Sequence, residues 1–446
     1  MNFAESLNLG CLCRTLNPDD LRRQLETDPS LQGMLDGLTT THPHLFSQTA
    51  VFVDPGMRAA MGQAIAAIER VVALPAYQQL ALAHAPEIAR HDFGPVGVFM
   101  GYDFHLSAAG PRLIEINTNA GGALINAALA HAHRTCCELM QGLMDASGDL
   151  MHINKTFVDM FRAEWQAQRG SQPLRSVLIT DDAPETQYMA PEFALARQLF
   201  LAHGITAAIG DARELLWDGD VLRHPALPNV AIDLVYNRLT DFSLSEPSHE
   251  ALRAAYVAGA TVLTPHPRAH ALFADKRNLI ALSDDALLAS WGVSPEDRHL
   301  LQSVVPQTEL VSPEHADELW ARRRKLFFKP VGGYGAKAAY RGDKLTKSVW
   351  AHIAAGGFVA QALVPPSERL VDVDGVATRL KLDVRAYTYR GQVQLLAART
   401  YTGQTTNFRT SGGGFSPVVV VPFISLMPLA PVSSHPLNIP PEKIHV

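Results

Sequence analysis

A chain of 446 residues is longer than one ordinary hydrophobic core organises, so about two to four lobes are expected. Hydrophobic residues make up 47% and charged residues 18%, the balance of a globular chain rather than a disordered or membrane-embedded one. The formal net charge of -6 works against non-specific attraction to nucleic acid or acidic membranes and favours a small-molecule ligand held in a cleft.

The opening stretch MNFAESLNLGCLCR has neither the basic start nor the apolar centre of a secretion signal, and no uninterrupted apolar run approaches the roughly 18–20 residues of a membrane span. The four cysteines, Cys11, Cys13, Cys136 and Cys137, lack the two-residue gap of zinc knuckles and redox motifs. A cytoplasmic, reduced setting is expected.

In chain order, residues 1–95 read as a helical region, with apolar residues at helical spacing from Met57 to Leu82. Residues 96–170 hold a period-two hairpin, Val96 to Asn117, broken by the turn composition Ser107-Ala-Ala-Gly-Pro111, followed by a Gly-Gly pair and a helix from Ala123 to Met144. Residues 171–270 alternate short strands (176–180, 231–238, 261–265) with helices (191–203, 249–258), which predicts a parallel, Rossmann-like lobe. No dinucleotide fingerprint follows its first strand, because TDDAPET lacks the glycines. Residues 271–446 carry strand, glycine-rich loop and strand in KLFFKPVGGYGAKAAYRG, then FVAQALVPP, then a β-patterned tail with Arg390-Gly391-Gln392 as a hairpin turn. The fold class expected is α/β, α+β overall.

Alternation in GYDFHLSAAGPRLIEIN puts Asp103 and His105 on one face and Tyr102, Phe104 and Leu106 on the other. On the returning strand Glu115 and Asn117 fall with Asp103, Ile114 and Ile116 with the apolar set, and a turn near Ala109 sets Glu115 almost opposite Asp103. Two carboxylates and an amide oxygen that converge suit a hard cation, Mg²⁺ or Mn²⁺, which brings phosphate oxygens with it. Taken alone, the pattern also describes an amphipathic hairpin whose polar face meets solvent.

Gly332, Gly333 and Gly335, with Tyr334 between them, form a loop whose backbone N–H groups can approach phosphate closely, and Lys329 just before it supplies charge. The loop lacks the ending of a Walker motif and is by itself also an ordinary turn. Lys276 is a second candidate cation. Arg385 and Arg399 alternate with apolar residues in strands, so their guanidinium groups are expected on a cleft face, where arginine suits phosphate or carboxylate.

Together these motifs resemble the ATP-grasp superfamily, specifically the circularly permuted members that include glutathionylspermidine synthetase and eukaryotic glutathione synthetase. The order carries the resemblance: GYDFHL…LIEINTNAGG first, then IDLVYNR, DKRNL, FFKPVGGYGAK and VAQALVPP, over roughly residues 96–415. The resemblance implies a permuted ATP-grasp fold with Asp103, Glu115 and Asn117 holding Mg²⁺, Lys276 and Lys329 on the nucleotide phosphates, and Gly332 to Gly335 as a flap. It also implies Gln361, Ala362 and Leu363 beside the adenine, and Arg385 and Arg399 on transferred phosphate or substrate carboxylate.

The implied activity joins a carboxylate to an amine or thiol through an acyl phosphate, giving ADP and phosphate. The substrates would be small-molecule or peptide acids and amines, without nucleic acid or membrane partners, and a homo-oligomer is compatible with the sequence. A phosphotransferase and a non-catalytic nucleotide-binding protein remain alternatives. Two departures bear on substrate and metal. Gly101 stands where the glutathione and glutathionylspermidine enzymes have an arginine two positions before the aspartate, and VGGYGAK has no acidic metal ligand. TNFRTSGGGF reads equally as an anion cradle or a turn. His131 with His133, Cys136 with Cys137, Asp181-Asp182 and Arg322 to Arg324 read as ordinary helix, core, turn and surface positions.

Overall fold

The structure is a computed structural model and describes residues 2–133, 152–332 and 338–421. Five helices dominate the N-terminal region: Phe3–Gly10, Pro18–Leu25, Met34–Thr41, Pro55–Val72 and Pro75–Ala83. Local chemistry starts them. Asp54 accepts from the Met57 N–H ahead of Pro55, and Asn17 accepts from the Asp19 and Asp20 N–H groups ahead of Pro18. The region is not wholly helical, because Val51–Val53 forms a fully buried strand, β1.

Strands β2 (Met100–Ser107) and β3 (Gly110–Asn117) make the expected hairpin. After a lobe containing β4 (Ser176–Asp181), β5 (Thr206–Asp211), β6 (Leu216–Trp217), β7 (Leu222–Arg223), β8 (Leu234–Asn237) and β9 (Val262–Thr264) come β10 (Thr308–Leu310), β11 (Leu326–Pro330), β12 (Tyr340–Arg341) and β13 (Phe358–Ala362). The last four described strands are β14 (Ser367–Val373), β15 (Val376–Tyr389), β16 (Gln392–Tyr401) and β17 (Gly414–Val420).

Three main sheets result. The hairpin lies in a seven-stranded sheet ordered β1-β17-β16-β15-β2-β3, with β14 on β15. The β4–β9 lobe carries the order β5-β4-β8-β9, parallel throughout, as strand-helix alternation predicts. β10-β13-β11-β12 form a third sheet. Arg390 and Gly391 turn β15 into β16 with φ of 48° and 72°, the positive pair that a two-residue hairpin turn of matching twist requires. The helix expected over Ala123 to Met144 is described as Ala123–Ala132; its remainder, with Cys136 and Cys137, lies outside the described residues.

Around the hairpin the seven-stranded sheet is apolar on one face and polar on the other; farther along the second face, Tyr387, Leu395 and Ala397 enter another apolar core with Phe99 and Phe157. Tyr102, Phe104, Leu113 and Ile116 of the hairpin, with Leu382, Val384 and Ala386 of β15, pack against Met61, Ala64, Ile65 and Ile68 of helix Pro55–Val72. Tyr102 Oη also donates to Glu69 Oε1 at 3.1 Å. The alternate residues, Asp103, Glu115, Asn117, Asp383, Arg385 and Arg399, turn to the opposite face. Among the described residues no single helix is long and apolar enough to cross a membrane.

Candidate active site

That polar face floors a cavity of about 1120 Å³. Asp103, Glu115, Asn117, Lys276, Lys329, Gln361, Ala362, Leu363, Arg385 and Arg399 all line it, although they come from positions up to 296 residues apart. Gly332 is outside the lining and has open space around its Cα. Gly333, Tyr334 and Gly335 lie outside the described residues.

Asp103 pairs with Glu115 across the hairpin, and a bulge follows, so that Phe104 pairs with Leu113. The bulge corrects one expectation. Ile114 becomes the extra residue, leaves the core to Leu113 and Ile116, and lines the cavity, while its carbonyl accepts from Lys329 Nζ at 2.7 Å. Asn117 Nδ2 donates to Asp103 Oδ2 at 3.2 Å and to Glu115 Oε1 at 3.3 Å, so the three side chains meet through the amide nitrogen, whereas the expectation was the amide oxygen.

Their neutralisation is divided between two sets of cations. Arg385 forks onto Asp103, Nε to Oδ1 at 2.6 Å and Nη2 to Oδ2 at 2.7 Å, and Arg399 Nη2 adds a third bond to Oδ2 at 2.8 Å. Burial would raise the Asp103 pKa, but the two guanidinium groups outweigh it and hold the carboxyl at about 2. Arg399 Nε also donates to Asp383 Oδ1 at 2.7 Å, and Thr406 Oγ1 donates to the other oxygen. Glu115 has different neighbours: against the opposing effect of burial, Lys276 and Lys329 hold its pKa below the usual carboxylate value.

Lys329 is 4% exposed, and burial pushes its pKa down to about 8 despite the attraction of Glu115. Its ammonium also donates to Gln361 Oε1 at 2.9 Å, which fixes that amide. Gln361 Nε2 is left buried with no hydrogen-bond partner. The N–H groups of Ala362 and Leu363 are bonded to the carbonyls of Gln307 and Lys325, both at 2.8 Å.

The cavity continues past these residues to the carboxyl ends of β4 and β8, where Asp181, Asn119, Arg238, Thr240, Phe242 and His270 line it. Burial pushes Asp181 up to about 6, partly countered by Arg238. Arg238 is 7% exposed, donates to Asn119 Oδ1, and keeps a buried Nε without a partner. Sequence reading assigned Asp181 to a turn and did not place Arg238 in the site. The available signal was position, since open parallel sheets bind ligands beyond the carboxyl ends of their strands. Of TNFRTSGGGF, Asn407 and Arg409 line the cavity, whereas a Cβ on Gly413 or Gly414 would come within 2.5–2.6 Å of the Thr400 or His44 carbonyl oxygens. Gly413 and Gly414 pack on the chain's own backbone, and Gly412 on the Val373 side chain.

With this geometry in hand, comparison with solved structures gives a glutathione synthetase-like effector from Globodera pallida, apo form, at TM-score 0.53 and 10% identity over 91% of this chain and 98% of that one. The two share a fold. D-cycloserine synthetase DcsG and the ATP-grasp ligase PsnB with its minimal precursor each align at TM-score 0.28, with 20% and 13% identity, over 55% of this chain and 90% of theirs. What the chain has in common with the first is its mixed α/β architecture. No family model matches the chain, and no curated protein matches its sequence.

Proposed function

We propose that the chain is an ATP-dependent ligase of the circularly permuted ATP-grasp type, joining a carboxylate to an amine or thiol and releasing ADP and phosphate. The observation that carries this reading is the convergence of Lys276, Lys329, Arg385 and Arg399 on one cavity with Glu115 and Asn117. With Arg238 and Arg409, six cations line the cavity beside four carboxylates, Asp103, Glu115, Asp181 and Asp383, leaving an excess of two positive charges toward a polyanionic ligand.

In this reading Lys276 and Lys329 hold the nucleotide phosphates. The adenine meets the free Gln361 Nε2–H and the carbonyl oxygens of Ala362 and Leu363, whose N–H groups are already engaged. The division is a helical region to residue 95, the metal hairpin and its helices to 170, a Rossmann-like lobe to 270, and the ATP-binding lid beyond.

The donor set fits a magnesium ion in part. Glu115 and Asn117 present oxygen-bearing side chains to the cavity, and no cluster of three His, Cys, Asp or Glu side chains suited to a metal occurs among the described residues. A hard cation held by Glu115, Asn117 and nucleotide phosphate would neutralise charge on the phosphoryl group. Arg385 and Arg399 orient and stabilise the phosphorylated carboxylate. Arg238 and Asp181 face one another in sign at the far end of the cavity, which suits a substrate bearing both acid and amine.

The test is turnover. Purified protein incubated with Mg-ATP and panels of acids and amines should release ADP, and Lys329→Ala or Asp103→Ala should abolish the release. Unchanged turnover in those variants would sink the assignment, and a product heavier by one phosphate would identify a phosphotransferase instead.

A further inference from the structure

The aspartate that the hairpin pattern offers as a metal ligand already accepts at both oxygens, three bonds on Oδ2 and one on Oδ1. Asp103 is 1% exposed, and its two carboxylate oxygens accept four N–H bonds, two from Arg385, one from Arg399 and one from Asn117. A divalent ion added there would sit against two guanidinium groups. Glu115 has one acceptor bond shown to it, from Asn117, and otherwise faces two lysines that a polyphosphate would engage.

The backbone is shaped for the same arrangement. A Cβ on Gly101 would lie 3.2 Å from Arg385 Nε, 3.3 Å from its Cδ and 2.6 Å from Ala120 Cβ. A side chain at this position would overlap Ala120 and crowd Arg385 where it reaches from β15 to Asp103, its own cross-strand partner. Arg399 in turn bridges Asp103 to Asp383, and Asp383 holds Thr406, so one carboxylate sets the positions of both arginines and, through them, of the 402–410 segment that lines the cavity.

We propose that Asp103 is a positioning residue for Arg385 and Arg399, presenting both guanidinium groups to a phosphoryl or carboxylate group in the cavity, and that a divalent ion is held without it by Glu115 and Asn117. The inference rests on the nucleotide-binding reading above. Gly101 is part of the device, because it admits the Arg385 side chain.

The experiment is an electron paramagnetic resonance titration of Mn²⁺ into the full chain saturated with a non-hydrolysable ATP analogue, with kcat and KM measured on any turnover assay. Asp103→Asn should keep Mn²⁺ affinity within about two-fold of the unsubstituted protein, while Glu115→Gln should lose at least about ten-fold, the scale of one lost ligand. Asp103→Asn should lower kcat with little change in KM for ATP. Gly101→Ala, which keeps the aspartate and displaces Arg385, should reproduce the kcat loss with normal Mn²⁺ binding, so the inference stays testable if Asp103→Asn folds poorly. Loss of Mn²⁺ affinity in Asp103→Asn equal to that in Glu115→Gln overturns it. Failure of the unsubstituted protein to bind Mn²⁺ with the nucleotide overturns the reading beneath it as well.

Discussion

Nucleotide affinity should depend on pH through Lys329, in a range where an exposed lysine stays charged. Burial lowers its pKa from 10.5 to about 8, and the ammonium is the form that attracts phosphate. If only the ammonium binds, the apparent dissociation constant grows with the neutral fraction, roughly five-fold between pH 8 and pH 9 and about ten-fold per unit beyond. The same shift has a stability consequence of fixed sign. Below about pH 8 both folded and unfolded chains hold the proton, and between there and 10.5 the unfolded chain holds a proton that the fold has released. Stability from this group therefore rises with pH across that window, by up to about 3 kcal/mol. Titration of a fluorescent ATP analogue from pH 7 to 10, paired with denaturant unfolding at each pH, reads both effects. Lys329→Met should flatten both profiles and weaken binding about 10- to 100-fold at pH 7, the value of one charged hydrogen bond. Affinity that stays constant to pH 9.5 in the unsubstituted protein would refute the placement of Lys329 on the phosphates.

Three further outcomes are expected. Asp181→Asn should raise stability at pH 7 by about 1–2 kcal/mol, discounted for partial solvent access, because a carboxyl raised to about 6 in the fold loses stability as pH climbs from 3.8 through 6; the gain should vanish at pH 3.5 in a thermal melt. Gly122→Ala places a Cβ 2.5 Å from the Phe415 ring and 2.9 Å from Tyr387 Oη at a φ of +98°, and should cost about 2–4 kcal/mol in denaturant unfolding. Thr406→Val removes the hydroxyl that donates to Asp383, and should raise KM for the acceptor while leaving ATP-analogue affinity within about two-fold by calorimetry.

The parts of the fold written in short-range periodicity were legible in sequence. Period-two alternation placed Asp103, Glu115 and Asn117 on one face, and strand-helix alternation marked a parallel lobe, though it missed β5 and left the order β5-β4-β8-β9 unstated. Features set by distant partners were not. Val51–Val53 is only three residues long and becomes a strand by parallel pairing with Val418, Val419 and Val420. The bulge at Ile114 shifts one residue out of an apparently regular alternation, and nothing in LIEIN marks it. The clamp on Asp103 depends on the register that sets Arg385 opposite it, fixed only when β15 pairs with β2. Asp181 looked like a helix-entry turn because its value lies in ending a buried parallel strand at a cavity wall.

The most direct test of ligase chemistry follows oxygen rather than affinity. A carboxylic acid substrate identified by ADP release, labelled with ¹⁸O in its carboxylate, should transfer one labelled oxygen to inorganic phosphate with each amide or thioester formed, detected by the ³¹P shift of the product. ADP release with all of the label retained in the acid would contradict the account.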